Sequence, residues 1–278
     1  MAVNSLANAL AEGGSTFARD DDPELVRDAA PFSLKSLEAL LEESPRHRGL
    51  LLAAASGFTS YAHGFLQLDA DYAEARDLAT AEAMRERAVK LYLRARDYGF
   101  RGLEVDAPGF REALRSGRDA ALARLQKKHV PLLYWTALAW AGAMELRKSD
   151  SALTADQEVA EAMMRRALQL DEAFELGSIH DFFISYEGRR SSVGGSLTRA
   201  REHFVKAVAL AGGRRAWPYL NLAESASVPA QDRQEFERLL GEALAMDPDH
   251  AIDHRLSNLL AQRRARWLLS RADELFVD

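Results

Sequence analysis

Two histidines stand four residues apart, His250 and His254, each with an aspartate before it, Asp249 and Asp253. Residues i and i+4 of a helix share a face, so the pair has the spacing of two metal ligands. A zinc-protease motif needs glutamate directly after the first histidine, and Ala251 stands there instead. The motif offers no third ligand or supporting shell, so a polar helix start is the preferred reading. His180-Asp181 invites a catalytic reading. Adjacent helical residues point about 100° apart, so the two cannot serve each other as a dyad. A hydrogen bond from His180 to a neighbouring helix is expected instead. No Gly-x-Ser-x-Gly elbow occurs. Gly194-Gly195 and Gly212-Gly213 lack the Lys-Ser/Thr of a phosphate loop and read as turns. Nothing joins nucleophile, base and orienting group, so the sequence predicts no enzyme, no metal and no cofactor.

The residues suited to binding are aromatic and basic. Phe182, Phe183 and Tyr186 fall on one predicted helix, and Tyr219 and Glu224 on the corresponding helix of the next repeat. An aromatic lining with one carboxylate can grip a peptide or small ligand. Aromatic packing between hairpins is the competing and preferred reading. Tyr134 and Trp135 extend the aromatic set toward hydrophobic ligands. Arg263, Arg264 and Arg266 form a basic cluster beside Trp267. That cluster reads first as a solvated helix face, with a partner-binding patch as the alternative.

These residues need helices to position them. Met84, Ala88, Leu91, Ala95 and Tyr98 step by four, three, four and three, which places them on one helical face. Prolines are expected at helix ends. Pro23 follows Asp20-Asp21-Asp22, a cap and first-turn signature, and Pro131, Pro218 and Pro229 read as further starts. Glu43–His47 and Met246–His250 each follow a leucine-rich helix and read as tight turns. Val130–Met144 is apolar nearly all round, which predicts a central buried helix too short to span a bilayer.

An internal repeat runs through the second half. Ala167, Ala207 and Ala243 align at spacings of 40 and 36 residues. Met164, Phe204 and Leu240 precede them by three, and a turn follows each: Asp171-Glu172, Gly212-Gly213 and Asp247-Pro248. Small alanines between large residues mark the second helix of a helix–turn–helix repeat. Ala216–Ala223 and Leu51–Ala62 resemble the first helix of a tetratricopeptide repeat, although the spacing exceeds the usual period of about 34. The expected fold is all-α: an array of antiparallel helical hairpins, divergent tetratricopeptide-like repeats in a single domain. Residues 1–20 are set apart as a flexible N-terminal segment, and 21–278 form the helical domain. The loop at Asp150–Thr154 is the one candidate internal division.

Composition narrows the class. The 278 residues include 36 Lys+Arg against 42 Asp+Glu, a net charge of −6 that argues against a general nucleic-acid binder. Cysteine is absent, which removes disulfides, thiolate metals and thiol nucleophiles. Met1–Gly13 carries no Lys or Arg and does not read as a secretory signal.

Six blocks, in order, resemble the T component associated with tripartite ATP-independent periplasmic (TRAP) transporters. They are Phe17–Phe32, Leu91–Glu104, Val130–Ala143, Ser178–Tyr186, Pro218–Asp232 and Leu259–Leu269. The resemblance implies an auxiliary, non-catalytic helical protein of a solute import system. It implies docking to the periplasmic solute-binding P component, and a homo-oligomer with a trimer as first expectation. It also implies passage or binding of a hydrophobic ligand, which the aromatic residues above would suit. Family members are exported, often as lipoproteins anchored through an N-terminal cysteine. Val3–Ala7 resembles the stretch after such an anchor, so the expected location is periplasmic and lipid-anchored in the full-length form. A stand-alone binder of small hydrophobic ligands or peptides is the alternative.

Overall fold

Aspartate and proline start the first long helix. Asp20 Oδ1 accepts the Asp22 amide at 2.8 Å, and Pro23 opens α2 (Pro23–Glu43), where its missing N–H is no loss. A short helix, α1 (Gly14–Ala18), precedes it. The computed structural model describes residues 14–276; Val3–Ala7 and the rest of the expected leading segment up to Gly13 lie outside the described residues. No strand occurs among the described residues, as the helical periodicity requires. Contacts group the chain into two compact units, Glu24–Asp171 and Ser15–Pro23 together with the chain from Glu172 on.

The first unit continues with α3 (Arg48–Ala62), a π-helical turn His63–Gln67, α4 (Leu68–Ala73), α5 (Leu78–Asp106), α6 (Phe110–Ala123), α7 (Val130–Leu146), α8 (Ser151–Thr154) and α9 (Gln157–Leu170). Side chains close the open helix starts: His47 accepts the Leu50 amide at 3.2 Å, and Asp77 accepts that of Thr80 at 3.0 Å. Asp150, at the expected division, caps α8 inside this unit through the Leu153 amide. α7 packs on α3, α5 and α9, which is why its sequence is apolar all round and why it sits at the centre of this unit. Ala88 and Ala95 of the expected α5 face are fully buried, while Met84, Leu91 and Tyr98 are half-buried. Pro31 departs from expectation, lying inside α2 rather than at an end. Buried Val26, Leu34, Leu37 and Leu41 hold the helix on both sides of it. At about 1.5–3 kcal/mol each, their burial outweighs the roughly 3 kcal/mol cost of an interior proline.

The second unit contains α10 (Ser178–Arg189), α11 (Leu197–Ala211), α12 (Trp217–Leu222) continued by a π-helical turn Ala223–Ser227, α13 (Arg233–Ala245), a 3-10 stretch Pro248–His254, α14 (Arg255–Leu269) and α15 (Ala272–Leu275). Each helix from α10 to α13 packs on its successor, and α12 also touches α10 and α14. Ala207 and Ala243, the small residues of the repeat, have no exposed surface, nor does Ala167 in α9. Pro229 does not start a helix as expected. It lies in the turn before α13, whose start is capped by Asp232 accepting the Glu235 amide at 2.8 Å.

Close helix approach sets this packing. A Cβ at Gly188 would lie 2.5 Å from the Ser225 carbonyl oxygen, a backbone atom that cannot step aside. Gly241 on exposed α13 has nothing within 4 Å of such a Cβ. Gly188→Ala should therefore lose about 1–3 kcal/mol, whereas Gly241→Ala should gain about 0.5–1 kcal/mol from helix propensity. Urea unfolding of the two variants checks the contrast, and equal effects would refute the packing argument.

Candidate functional site

The polar and aromatic residues singled out by the sequence collect mainly in the second unit, beginning at an unusual turn. Glu175, Leu176 and Gly177 have φ of 43°, 57° and 86°. Only glycine takes that conformation without cost, so two residues here hold left-handed backbone that packing must sustain. The chain then enters α10 at Ser178.

Four-residue spacing brings Phe182 and Tyr186 onto one face of α10, where the rings stack at 5.5 Å and 19°. Phe183 meets both edge-on, at 5.1 Å and 6.3 Å. Phe183 is fully buried, while Phe182 and Tyr186 are half-buried. The Arg190 guanidinium lies 4.6 Å over the Tyr186 ring.

His180 is completely buried and bonds across to α11 as expected. Its Nδ1 lies 2.7 Å from His203 Nδ1, and its Nε2 lies 3.2 Å from Glu172 Oε1. Phe183 stacks on His203 at 5.0 Å. A hydrogen bond from Lys206 at 3.1 Å holds the Glu172 carboxyl below its ordinary value, so it is an acceptor. Burial pushes His180 below the ordinary histidine value, against the pull of Glu172. Neutral His180 must then donate from Nε2 to Glu172 and accept at Nδ1, which makes His203 the Nδ1–H donor.

Asp181 turns away from His180, as helical geometry demands. It forms a buried ion pair with Arg215 of the α11–α12 turn. Burial pushes its carboxyl up to about 6, with Arg215 pulling the other way. Its Oδ1 is buried with no hydrogen-bond partner, and its carbonyl accepts from Asn221 at 3.4 Å.

One repeat later, Glu224 sits in the π-helical turn, a feature often found where a helix is bent to a purpose. Arg264 grips it bidentately, Nε to Oε1 at 3.0 Å and Nη2 to Oε2 at 3.2 Å. The same guanidinium lies 4.3 Å over Trp267, and Arg271 lies 4.8 Å over that ring. The arginine cluster is therefore split, with Arg264 buried in the fold and Arg263 and Arg266 exposed. Tyr219 meets Phe204 edge-on at 5.4 Å, and burial raises its hydroxyl pKa. Tyr134 and Trp135 contact each other in the first unit at 5.0 Å.

The paired histidines come out differently from expectation. Pro248–His254 is 3-10 helix broken at Ala251 (φ −134°, ψ 66°), so His250 and His254 do not share an α-helical face. No group of three or more His, Asp or Glu side chains is set to hold a metal among the described residues.

His203, Glu172 and Arg215 were not anticipated, because they come from adjacent elements with no shared periodicity. The Glu224–Arg264 pair did leave a signal, since its members stand 40 residues apart, the repeat spacing.

The described residues form an all-helical fold in which the side chains singled out by the sequence are tied to one another by buried pairs and ring contacts. The chain belongs to the TRAP transporter T-component family, whose model matches residues 19–276. It is 31% identical over 267 residues to an uncharacterized protein of Treponema pallidum (strain Nichols), covering 94% of this chain and 83% of that protein. It is accordingly an auxiliary component of a TRAP transporter system. No helix among the described residues is long and apolar enough to cross a membrane.

Two measurements test this site. Nitrogen-correlated NMR at pH 7 should show His180 as the Nε2–H tautomer and His203 as Nδ1–H; the reverse assignment would break the proposed chain of donors. Arg264→Ala should cost about 3–5 kcal/mol by removing the bidentate partner of Glu224, while Arg266→Ala, at an exposed position, should stay within about 0.5 kcal/mol. Equal costs would show that the buried pair has no special role.

Proposed function

We propose that this chain docks the periplasmic solute-binding P component of a TRAP-type importer, as a non-catalytic scaffold of divergent tetratricopeptide-like hairpins. The observation that carries the reading is the contact pattern of α10, α12 and α14. Asp181 meets Asn221, Trp217 meets Ser257, and Glu224 meets Arg264, each pair 40 residues apart. First helices in register at the repeat spacing line a common surface, which is how hairpin arrays hold partners. Membership of the TRAP transporter T-component family supports a partner within the TRAP system. The protein works in the periplasm as a homo-oligomer, trimeric and lipid-anchored by the family's example. Phe182 and Tyr186, stacked and half-buried, offer the same surface to an apolar ligand, with Tyr219 and Arg263 as further contacts to test; Tyr134 and Trp135 of the first unit are tested separately.

Sedimentation of the chain with its cognate P component should show one complex of micromolar or tighter affinity, and the chain alone should run above its 30.8 kDa monomer. Two independent boundaries at high concentration would overturn the docking reading. Native mass spectrometry of the same sample reads the ligand separately: a retained apolar molecule supports it, and a bare protein mass after incubation with fatty acids removes it.

A further inference from the structure

A second surface lies in the first unit, on residues that the aromatic and histidine motifs did not touch. Along α5, Arg87, Lys90, Arg94 and Arg101 recur at spacings that keep them on one face, and all four are exposed. A groove of about 460 Å³ runs beside them, lined by Lys90, Leu93, Arg94, Asp97, Tyr98 and Arg101.

The two carboxylates near this groove are already occupied. Glu38 of α2 takes Lys35 at 2.6 Å, the Tyr98 hydroxyl at 2.8 Å and Arg94 at 3.3 Å. Asp97 takes Arg96 at 3.0 Å and Arg111 at 3.1 Å. Lys90 and Arg101 thus add positive charge that neither carboxylate offsets. A basic face on a chain of net charge −6 is a local arrangement and not the average of the surface.

The guanidinium groups are also held in place. Phe58 and Tyr98 stack at 5.9 Å. Arg94 lies 5.4 Å over Phe58, and Arg101 lies 5.1 Å over Tyr98. Arginines ordered on ring faces lose less freedom when they bind. Phe32 of α2 is 78% exposed and stands one turn before Lys35, whose ammonium holds Glu38. Exposed aromatics and arginines are the residue types enriched at interface hot spots.

We propose that the α2–α5 face, with Phe32 as apolar anchor and the exposed cations of Lys90 and Arg101, which neither Glu38 nor Asp97 takes up, docks an acidic surface of a protein partner. The inference rests on the docking reading above and names a surface for it. Charge complementarity selects an acidic partner, and the forked guanidinium suits paired carboxylates. The projecting Phe32 requires an apolar pocket opposite, which a protein surface can supply.

The test measures binding of the cognate P component to the wild-type chain, to Lys90→Glu/Arg101→Glu and to Phe32→Ala, at low and high salt. Charge reversal should weaken the complex about tenfold or more at low salt, with a smaller difference at high salt. Phe32→Ala should weaken it about fivefold or more at either salt. Thermal unfolding of each variant reports whether it folds, and the salt dependence of wild-type binding tests the charge argument even where a variant does not. A wild-type chain that forms no complex would sink the docking reading and this inference with it. A complex indifferent to salt, to charge reversal and to Phe32→Ala would sink only this inference. Vesicles containing phosphatidylglycerol are the second probe: charge-sensitive binding to vesicles, with charge-insensitive binding to the P component, would reassign the face to lipid and overturn the proposal.

Discussion

Close approach between helices is the constraint on which the rest of this structure depends. There is no cysteine to staple the chain, and no clustered set of metal ligands among the described residues, so stability comes from packed helix faces. Packing at this density needs small residues at the crossings. Ala207 and Ala243 fill that role in the second unit with no exposed surface. In the first unit, Gly99 approaches Thr136 so closely that a Cβ there would lie 2.0 Å from its hydroxyl oxygen.

Dense packing dictates how polar groups behave. A helix interface that excludes water leaves a buried ionisable group either paired or neutral. Asp181 takes Arg215 and still has its carboxyl raised. His180 stays neutral, relaying between Glu172 and His203. Glu224 takes both arms of Arg264. The residues that look chemically active in the sequence are, in the fold, the ones that fix helix to helix. The aromatic stack of α10 stays half-buried beside these pairs, and Arg263 and Arg266 stay exposed.

Charge is distributed with a similar logic. Glu38 and Asp97 are each saturated by neighbouring cations, so the excess on α5 stays outward. Exposed cations contribute little to stability, which leaves recognition as the role they can fill at low cost to the fold.

Local signals in the sequence were sufficient for the helices, for the helix starts at Pro23, Pro131 and Pro218, for the central place of Val130–Met144 in its unit and for the alanine periodicity, because each depends on residues within a turn or two of one another. The family was legible for a related reason: its blocks recur in order along the chain. Pro31 and Pro229 were misread, since burial on both flanks and the Asp232 cap, respectively, outweighed the local preference of proline. Tertiary structure alone decided the partners. His180 finds His203 from 23 residues away, and Asp181 finds Arg215 from 34, across turns whose direction no periodicity encodes. It also decided which arginines are buried and which are exposed, because Arg263 and Arg264 are neighbours in sequence but stand in different surroundings once α14 lies against the turn that carries Glu224.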